Sequence, residues 1–387
     1  MQRLIRGTFN FFIVLLFDIY EKISDFPRVL FLRRLDYSKV ISDLEERSPR
    51  KVALVAPHPT QPLEFTMRNL VEGLVANDYE IVILMHDTAK AEWLRNEYPN
   101  LHIAYRHLTG RDFGAWKDMI LSILESGTLL SKVENLMLVN DSIYWSSNTN
   151  NIIRAMTETD CAWSCLFENF EHHYHAQSFI IDFGSKALNC PGFKQFWAQY
   201  KPYSSRRHSI DNGEIMLSKY VSKHVGKPEC LANSTNVIEA ICNKFPEETE
   251  EIILRINSNL VTSNDYESKI LSLEINNSLS PTSFGDYVKK EEIRQTVEKR
   301  RLSRFIARLM EYHNPTHTVA LIVNRYLGVP IKRDLCQRGS YQIADIIQMI
   351  SGYTEVEKRA INRDLRSKEL PISMRGIKRI LFQSGRI

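Results

Sequence analysis

Between Lys51 and Phe183 short apolar runs alternate with longer stretches in which apolar residues recur every three or four positions. VALVA (Val52 to Ala56), EIVILMH (Glu80 to His86), LHIAYRHL (Leu101 to Leu108) and NLMLVN (Asn135 to Asn140) read as buried strands, while Leu63 to Val75 and Ala89 to Asn96 carry the helical period. Strands separated by helices in this way predict an α/β domain with a mostly parallel sheet. After the third strand, Asp112 stands where an N-cap is expected, and Phe113, Trp116, Ile120, Ile123 and Leu124 follow at helical spacing until Gly127. CAWSCLF (Cys161 to Phe167) and QSFIIDF (Gln177 to Phe183) add two strands, joined by a polar, histidine-rich link. Helices follow over Ser185 to Tyr200 and over GEIMLSKYVSKHV, which begins at Gly213. From about residue 243 strand character is lost and the pattern is helical, which divides the chain into an N-terminal amphipathic helical segment (1–50), an α/β domain (51–242) and a mainly helical C-terminal region (243–387).

Composition agrees with a folded globular chain: 387 residues, 43% hydrophobic and 25% charged. A net charge of +4 is too mild to argue for nucleic acid. The six cysteines are scattered and lack the paired spacing of a structural zinc site, so they read as reduced thiols of a cytoplasmic protein. The apolar run from Phe11 to Phe17 is bounded by Asn10 and Asp18, too short to span a bilayer, and no small-residue cleavage site follows it. That leaves a helix packed on the protein or one lying on a membrane surface. The tail around Arg375, Lys378 and Arg379 reads first as a solvated basic face and next as a contact for anionic lipid.

Ligands of open α/β sheets bind beyond the carboxyl ends of the strands. Here those ends carry His58, the segment Arg106 to Asp112, and Asn140-Asp141-Ser142. Asp141 is placed to hold a divalent cation (Mg or Mn) against a diphosphate, or simply to shape a turn. The free N–H groups at the helix start near Asp112 suit a phosphate, Gly114 would allow close approach to the backbone, and Arg111 could add a bidentate contact. The alternative is a plain capped helix whose aromatics only pack. His172, His173 and His175 lack the spacing of a zinc site, and a polar loop with one functional histidine fits them better. Glu214, at a helix start after a basic loop, suits a general base or, more simply, the helix dipole. No P-loop, GxGxxG, GxSxG or kinase signature is present.

Several of these pieces, in order, resemble the rhamnan synthesis protein F family of bacterial polysaccharide glycosyltransferases: GRDFGAWKD (Gly110 to Asp118), NDSIY (Asn140 to Tyr144), HAQSFIIDF (His175 to Phe183), the helix with Glu214, and NPTHTVALIVNRYLGVPIKRDL (Asn314 to Leu335). The resemblance implies a GT-A-like (Rossmann-like) fold and transfer of a sugar, rhamnose or another deoxyhexose, from a nucleoside-diphosphate donor to a lipid-linked or cell-surface glycan. It implies Asp141 as metal and diphosphate contact, Arg111 and Asp112 facing the nucleotide with Gly114 and His58 beside them, Glu214 as base, and His175 on the acceptor side. A single acidic residue in Asn140-Asp141-Ser142 departs from the usual acidic metal motif. It supports a rival reading, a non-catalytic glycan- or partner-binding subunit of polysaccharide assembly. The apolar N-terminal helix and basic tail suit a protein peripheral on the inner face of the cell membrane, with an anionic surface as partner and no nucleic acid.

Overall fold

The computed structural model describes residues 2–57, 63–171, 173–242, 303–338, 341–370, 373–384 and 386, with the backbone alone at 2–8, 91 and 242. These form two compact units: residues 1–168, 173–231 and 369–387, which contain the sheet, and residues 169–172 and 232–368. The N-terminal helical segment and the last residues thus share the unit of the sheet.

The strands of the main sheet are β1 (Lys51–Ala56), β2 (Glu80–Met85), β3 (His102–Tyr105), β4 (Asn135–Asn140), β5 (Trp163–Cys165), β6 (Ile180–Gly184) and β7 (Glu229–Cys230). They lie in the order β3-β2-β1-β4-β6-β5-β7. β1 pairs in parallel with both β2 and β4, β2 with β3, and β5 with β7. β6 runs antiparallel to its neighbours β4 and β5. The sheet is therefore mostly parallel, as the alternation of strand and helix requires. β7 was not legible in the sequence, because two residues show no alternation.

The sheet is buried on both sides, which is why its central strands read as continuous apolar runs rather than alternating ones. Val52, Leu54, Leu136 and Leu138 face a core shared with α2 (Ser38–Arg47), α5 (Arg111–Glu125), α9 (Pro191–Gln199) and α11 (Met216–Val225). On the opposite side α3 (Glu64–Val75) and α7 (Thr149–Thr157) pack on one another, and Met67, Leu70 and Ile153 are fully buried. Helices α1 (Gln2–Phe31), α4 (Glu92–Glu97), α6 (Gly127–Lys132), α8 (Ser185–Asn189) and α10 (Arg206–His208) complete the unit, together with a C-terminal helix, Gly376–Gln383. The single helix expected over Ser185 to Tyr200 is two, because Cys190 is extended and Pro191 starts α9 afresh.

Two side chains pin the layers. Trp116 of α5 is fully buried and donates its indole N–H to the Leu54 carbonyl of β1 (3.1 Å), so the helix is keyed to the central strand by apolar area and a hydrogen bond together. Asp182, in the middle of β6, is buried and accepts from Asn135 Nδ2 (2.5 Å) and the Tyr79 hydroxyl (3.0 Å). Burial nevertheless pushes its pKa up to about 6.

The second unit is helical where described: Ser234–Cys242, 303–312, Pro315–Thr318, Ala320–Leu327, Leu335–Arg338, Ile343–Met349 and Glu355–Ser367. Asn314 caps the turn that begins at Pro315, its Oδ1 accepting from Thr316 N (3.1 Å). The buried Asn324 bridges the Val329 carbonyl and Ser351. Asp334 gathers His317, Lys332 and Arg338.

Replacing Trp116 with Ala removes both the packing and the hydrogen bond. It is expected to destabilise the sheet unit by about 3–5 kcal/mol, read as a lowered urea midpoint.

Candidate functional site

Strand order reverses about β1: the chain steps outward through β2 and β3, then returns to lay β4 on the other side of β1. Such a reversal opens a crevice beyond the carboxyl ends of the two strands. The residues that gather there come from four separate stretches of sequence.

Asn140 ends β4 and is almost wholly buried. Its Nδ2 donates to Asp112 Oδ2 (2.8 Å) and to the Ser178 carbonyl (3.0 Å), and its Oδ1 accepts from Ser142 N (2.9 Å). Ser178 continues the line: its N–H (2.9 Å) and its hydroxyl (2.7 Å) both donate to Glu214 Oε1. The other carboxylate oxygen of Glu214 lies 3.7 Å from His175 Nε2. His175 Nδ1 sits 2.7 Å from the His173 carbonyl, which places the proton on Nδ1 in the neutral ring. Asp112, Asn140, Ser178, Glu214 and His175 thus form one connected polar line through the domain.

Arg106 closes the other side. It follows β3, is 3% exposed, and donates to the carbonyls of Pro57 (3.2 Å), His107 (3.3 Å) and Arg111 (3.4 Å). Its buried Nε has no hydrogen-bond partner. Burial weakens its hold on its proton, and the charges of Asp112 and Asp141 act in the opposite sense. Asp112 is held at about 6, raised first by desolvation and further by Asp141, with Arg106, Arg111 and Asn140 pulling it down. Two carboxylates from different elements therefore share one buried guanidinium. Asp141 is itself 5% exposed.

Local backbone explains the placement. Gly110, in the left-handed region at φ 80°, is the N-cap of α5, and the cap is not Asp112 as the sequence suggested. Freed from capping, Asp112 turns toward β4. Gly114 is required by the chain itself: a Cβ there would sit 2.2 Å from the Thr109 carbonyl oxygen. Its N–H donates to the Gly110 carbonyl (2.7 Å), so neither its backbone donor nor its missing side chain is reserved for a ligand. Arg111 is exposed, with Nε donating to the Ser204 carbonyl (2.8 Å). Glu214 stands in a π-helical turn, Ser209–Ile215, ahead of α11, where a plain helix start was expected. Gly213 beside it leaves room for the Phe113 ring, which a Cβ would meet at 2.9 Å.

Of the residues singled out in the sequence, Asp112, Asp141, Glu214 and His175 belong to this assembly. Arg111 and Gly114 lie on its rim, and His58 lies outside the described residues. Arg106 and Asn140 were marked only by their places at strand ends and were given no role, and Ser178 only as part of HAQSFIIDF. Among the described residues no group of three or more His, Cys, Asp or Glu is arranged to hold a metal ion. The chemistry of the donor set is two carboxylates, Asp112 and Asp141, which interact electrostatically, and one or two carboxylates is the number Mg²⁺ takes beside water and phosphate oxygens.

The raised carboxyl of Asp112 has a definite pH signature. The native state binds its proton more tightly than the unfolded chain, so this group favours folding below about 4 and ceases to do so as pH rises through about 6. Wild type is expected to lose stability relative to Asp112→Asn across that window, read from thermal melts of both proteins. A difference that stays constant with pH would refute the burial of this carboxyl.

No protein-family model matches the chain, so the resemblance noted above stands on its motifs alone. A protein of Sinorhizobium fredii described as uncharacterized protein y4gN is 26% identical over 204 residues, covering 48% of this chain and 51% of that protein. The chain thus spans about half the length of the curated relative it matches. A crystal structure of 4-diphosphocytidyl-2C-methyl-D-erythritol synthase is similar over 47% of this chain and 87% of its own, at 12% identity and a TM-score of 0.32.

Proposed function

We propose that the chain is a glycosyltransferase that moves a sugar, rhamnose or another deoxyhexose, from a nucleoside-diphosphate donor to a lipid-linked or cell-surface polysaccharide acceptor. The observation that carries this reading is the line from Asp112 through Asn140 and Ser178 to Glu214 and His175, which passes the carboxyl end of β4 at Asn140. It sets an acidic pair suited to a diphosphate near a carboxylate suited to a proton.

In this reading Asp141 and Asp112 hold a divalent cation, which when bound supplies charge to the departing diphosphate. The sequence motif offered one carboxylate, and Asp112 is the second, brought from α5. Arg106 supplies a buried positive charge that acts on both, which lowers the cost of keeping two carboxylates together. Glu214 accepts the proton of the acceptor hydroxyl. Its Oε1 is held by two donors from Ser178, which orients the carboxylate while Oε2 stays on the His175 side. His175, its tautomer set by the His173 carbonyl, lines the acceptor side. Arg111 and the first turn of α5 face the nucleotide.

Glu214→Gln keeps the size of the side chain and an acceptor for Ser178 while removing the base, and is expected to lower sugar transfer on the order of 10²–10⁴-fold. Asp141→Ala is expected to abolish transfer and weaken nucleoside-diphosphate binding in the presence of Mn²⁺. Transfer assays and calorimetry on purified protein check both, with circular dichroism confirming the fold. Full activity in the two variants would sink the assignment. Binding of glycan without transfer or donor hydrolysis by wild type would favour the non-catalytic alternative.

A further inference from the structure

Helix α1 is oriented the wrong way round for a helix of a soluble domain. Such helices bury their apolar stripe and show polar residues to water. Here the three acids of α1 turn inward. Asp18 accepts from Arg386 (2.9 and 2.7 Å), Asp25 is buried and accepts from Ser204 N (2.5 Å), and Glu21 is partly buried, its carboxyl raised chiefly by desolvation. The outward side carries Phe9, Phe12, Leu16, Ile19, Ile23, Phe26 and Leu30 at alternating three- and four-residue steps, all exposed. Phe12 is 55%, Leu16 64% and Ile23 67% exposed. A contiguous apolar strip of this kind marks a surface that something else covers.

The surrounding charge selects the occupant. The acids of α1 are spent inside, whereas Lys22, Arg28 and Arg33 are exposed along and just beyond it. The C-terminal helix packs on α1 and adds the exposed Arg375, Lys378 and Arg379 beside an exposed Ile377. A cavity of about 290 Å³ opens at the C-terminal end of α1, with Phe26 and Leu30 in its lining together with three cations, Arg34, Lys117 and Lys201, and one acid, Asp118. Apolar side chains bordered by cations match a layer whose interior is hydrocarbon and whose surface is anionic. Among the described residues no helix is long and apolar enough to cross a membrane, so the contact is lateral.

We propose that α1 lies in the interface of an anionic membrane, its outer face in the acyl boundary and the basic residues of α1 and the C-terminal helix at the headgroups. The inference is independent of the chemistry at β1 and β4. Its test is flotation of the full chain with vesicles of phosphatidylcholine and phosphatidylglycerol. Wild type is expected to float with mixed vesicles at low ionic strength and less at high ionic strength. The triple variant Phe12→Glu, Leu16→Glu, Ile23→Glu changes only exposed positions, and its vesicle-bound fraction is expected to fall at least roughly tenfold with an unchanged circular dichroism spectrum. Equal flotation of wild type and variant would overturn the proposal. So would flotation that is as strong on phosphatidylcholine alone. A dimer of wild type by light scattering that the variant dissolves, without flotation, would assign the face to a second copy instead.

Discussion

Both amide hydrogens of Asn140 are committed, one toward a helix that begins near residue 110 and one toward the backbone that precedes β6. Its carbonyl oxygen holds the turn that follows β4. Its backbone carbonyl also accepts the indole N–H of Trp145, which buries the continuation of the chain. A buried amide with every polar atom engaged is rigid, because losing any one partner would leave an unsatisfied group away from water. Asp112, Ser178 and Asp141 take their positions from this residue, and Glu214 takes its own from Ser178.

Around that hub the electrostatics are balanced rather than neutral. Asp112 and Asp141 repel one another, Arg106 offsets both, and desolvation raises Asp112 well above an ordinary carboxyl. Such a site resists extra negative charge unless positive charge arrives with it. That is the condition under which a diphosphate and its cation would enter together. Burial alone would not distinguish this cluster from Asp182, whose carboxyl is raised as far but is enclosed between Asn135 and Tyr79 within the sheet. Position separates them. Asp182 is in mid-strand, and Asp112 meets Asn140 at the end of β4.

The same unit carries a surface of opposite character. Helix α1 satisfies its acids against the domain and leaves its aromatics and leucines outward, so its amphipathic pattern is used in reverse. The basic C-terminal helix, nearly the whole sequence away, joins it through the pair of Arg386 and Asp18. The exposed basic residues of both chain ends are thereby collected beside one apolar strip.

Local periodicity determined most of the architecture. Four buried strands and the helices between them follow from side-chain spacing, because burial on both faces of a parallel sheet leaves an unbroken apolar run; the stop expected at Gly127 falls instead at Ser126, whose side chain caps α6, and Gly127 opens that helix. The chemistry of Asp141 and Glu214 was legible only as possibility, since an acid after a strand and an acid at a helix start also suit turns and dipoles. Tertiary structure decided the rest. That Gly110 caps α5 while Asp112 turns to Asn140, that a π-turn carries Glu214 to Ser178, and that the buried charge of Arg106 acts on Asp112 and Asp141 all depend on the meeting of residues far apart in sequence. A periodic pattern records which side of an element is buried, and it holds no information on which distant partner will meet it there.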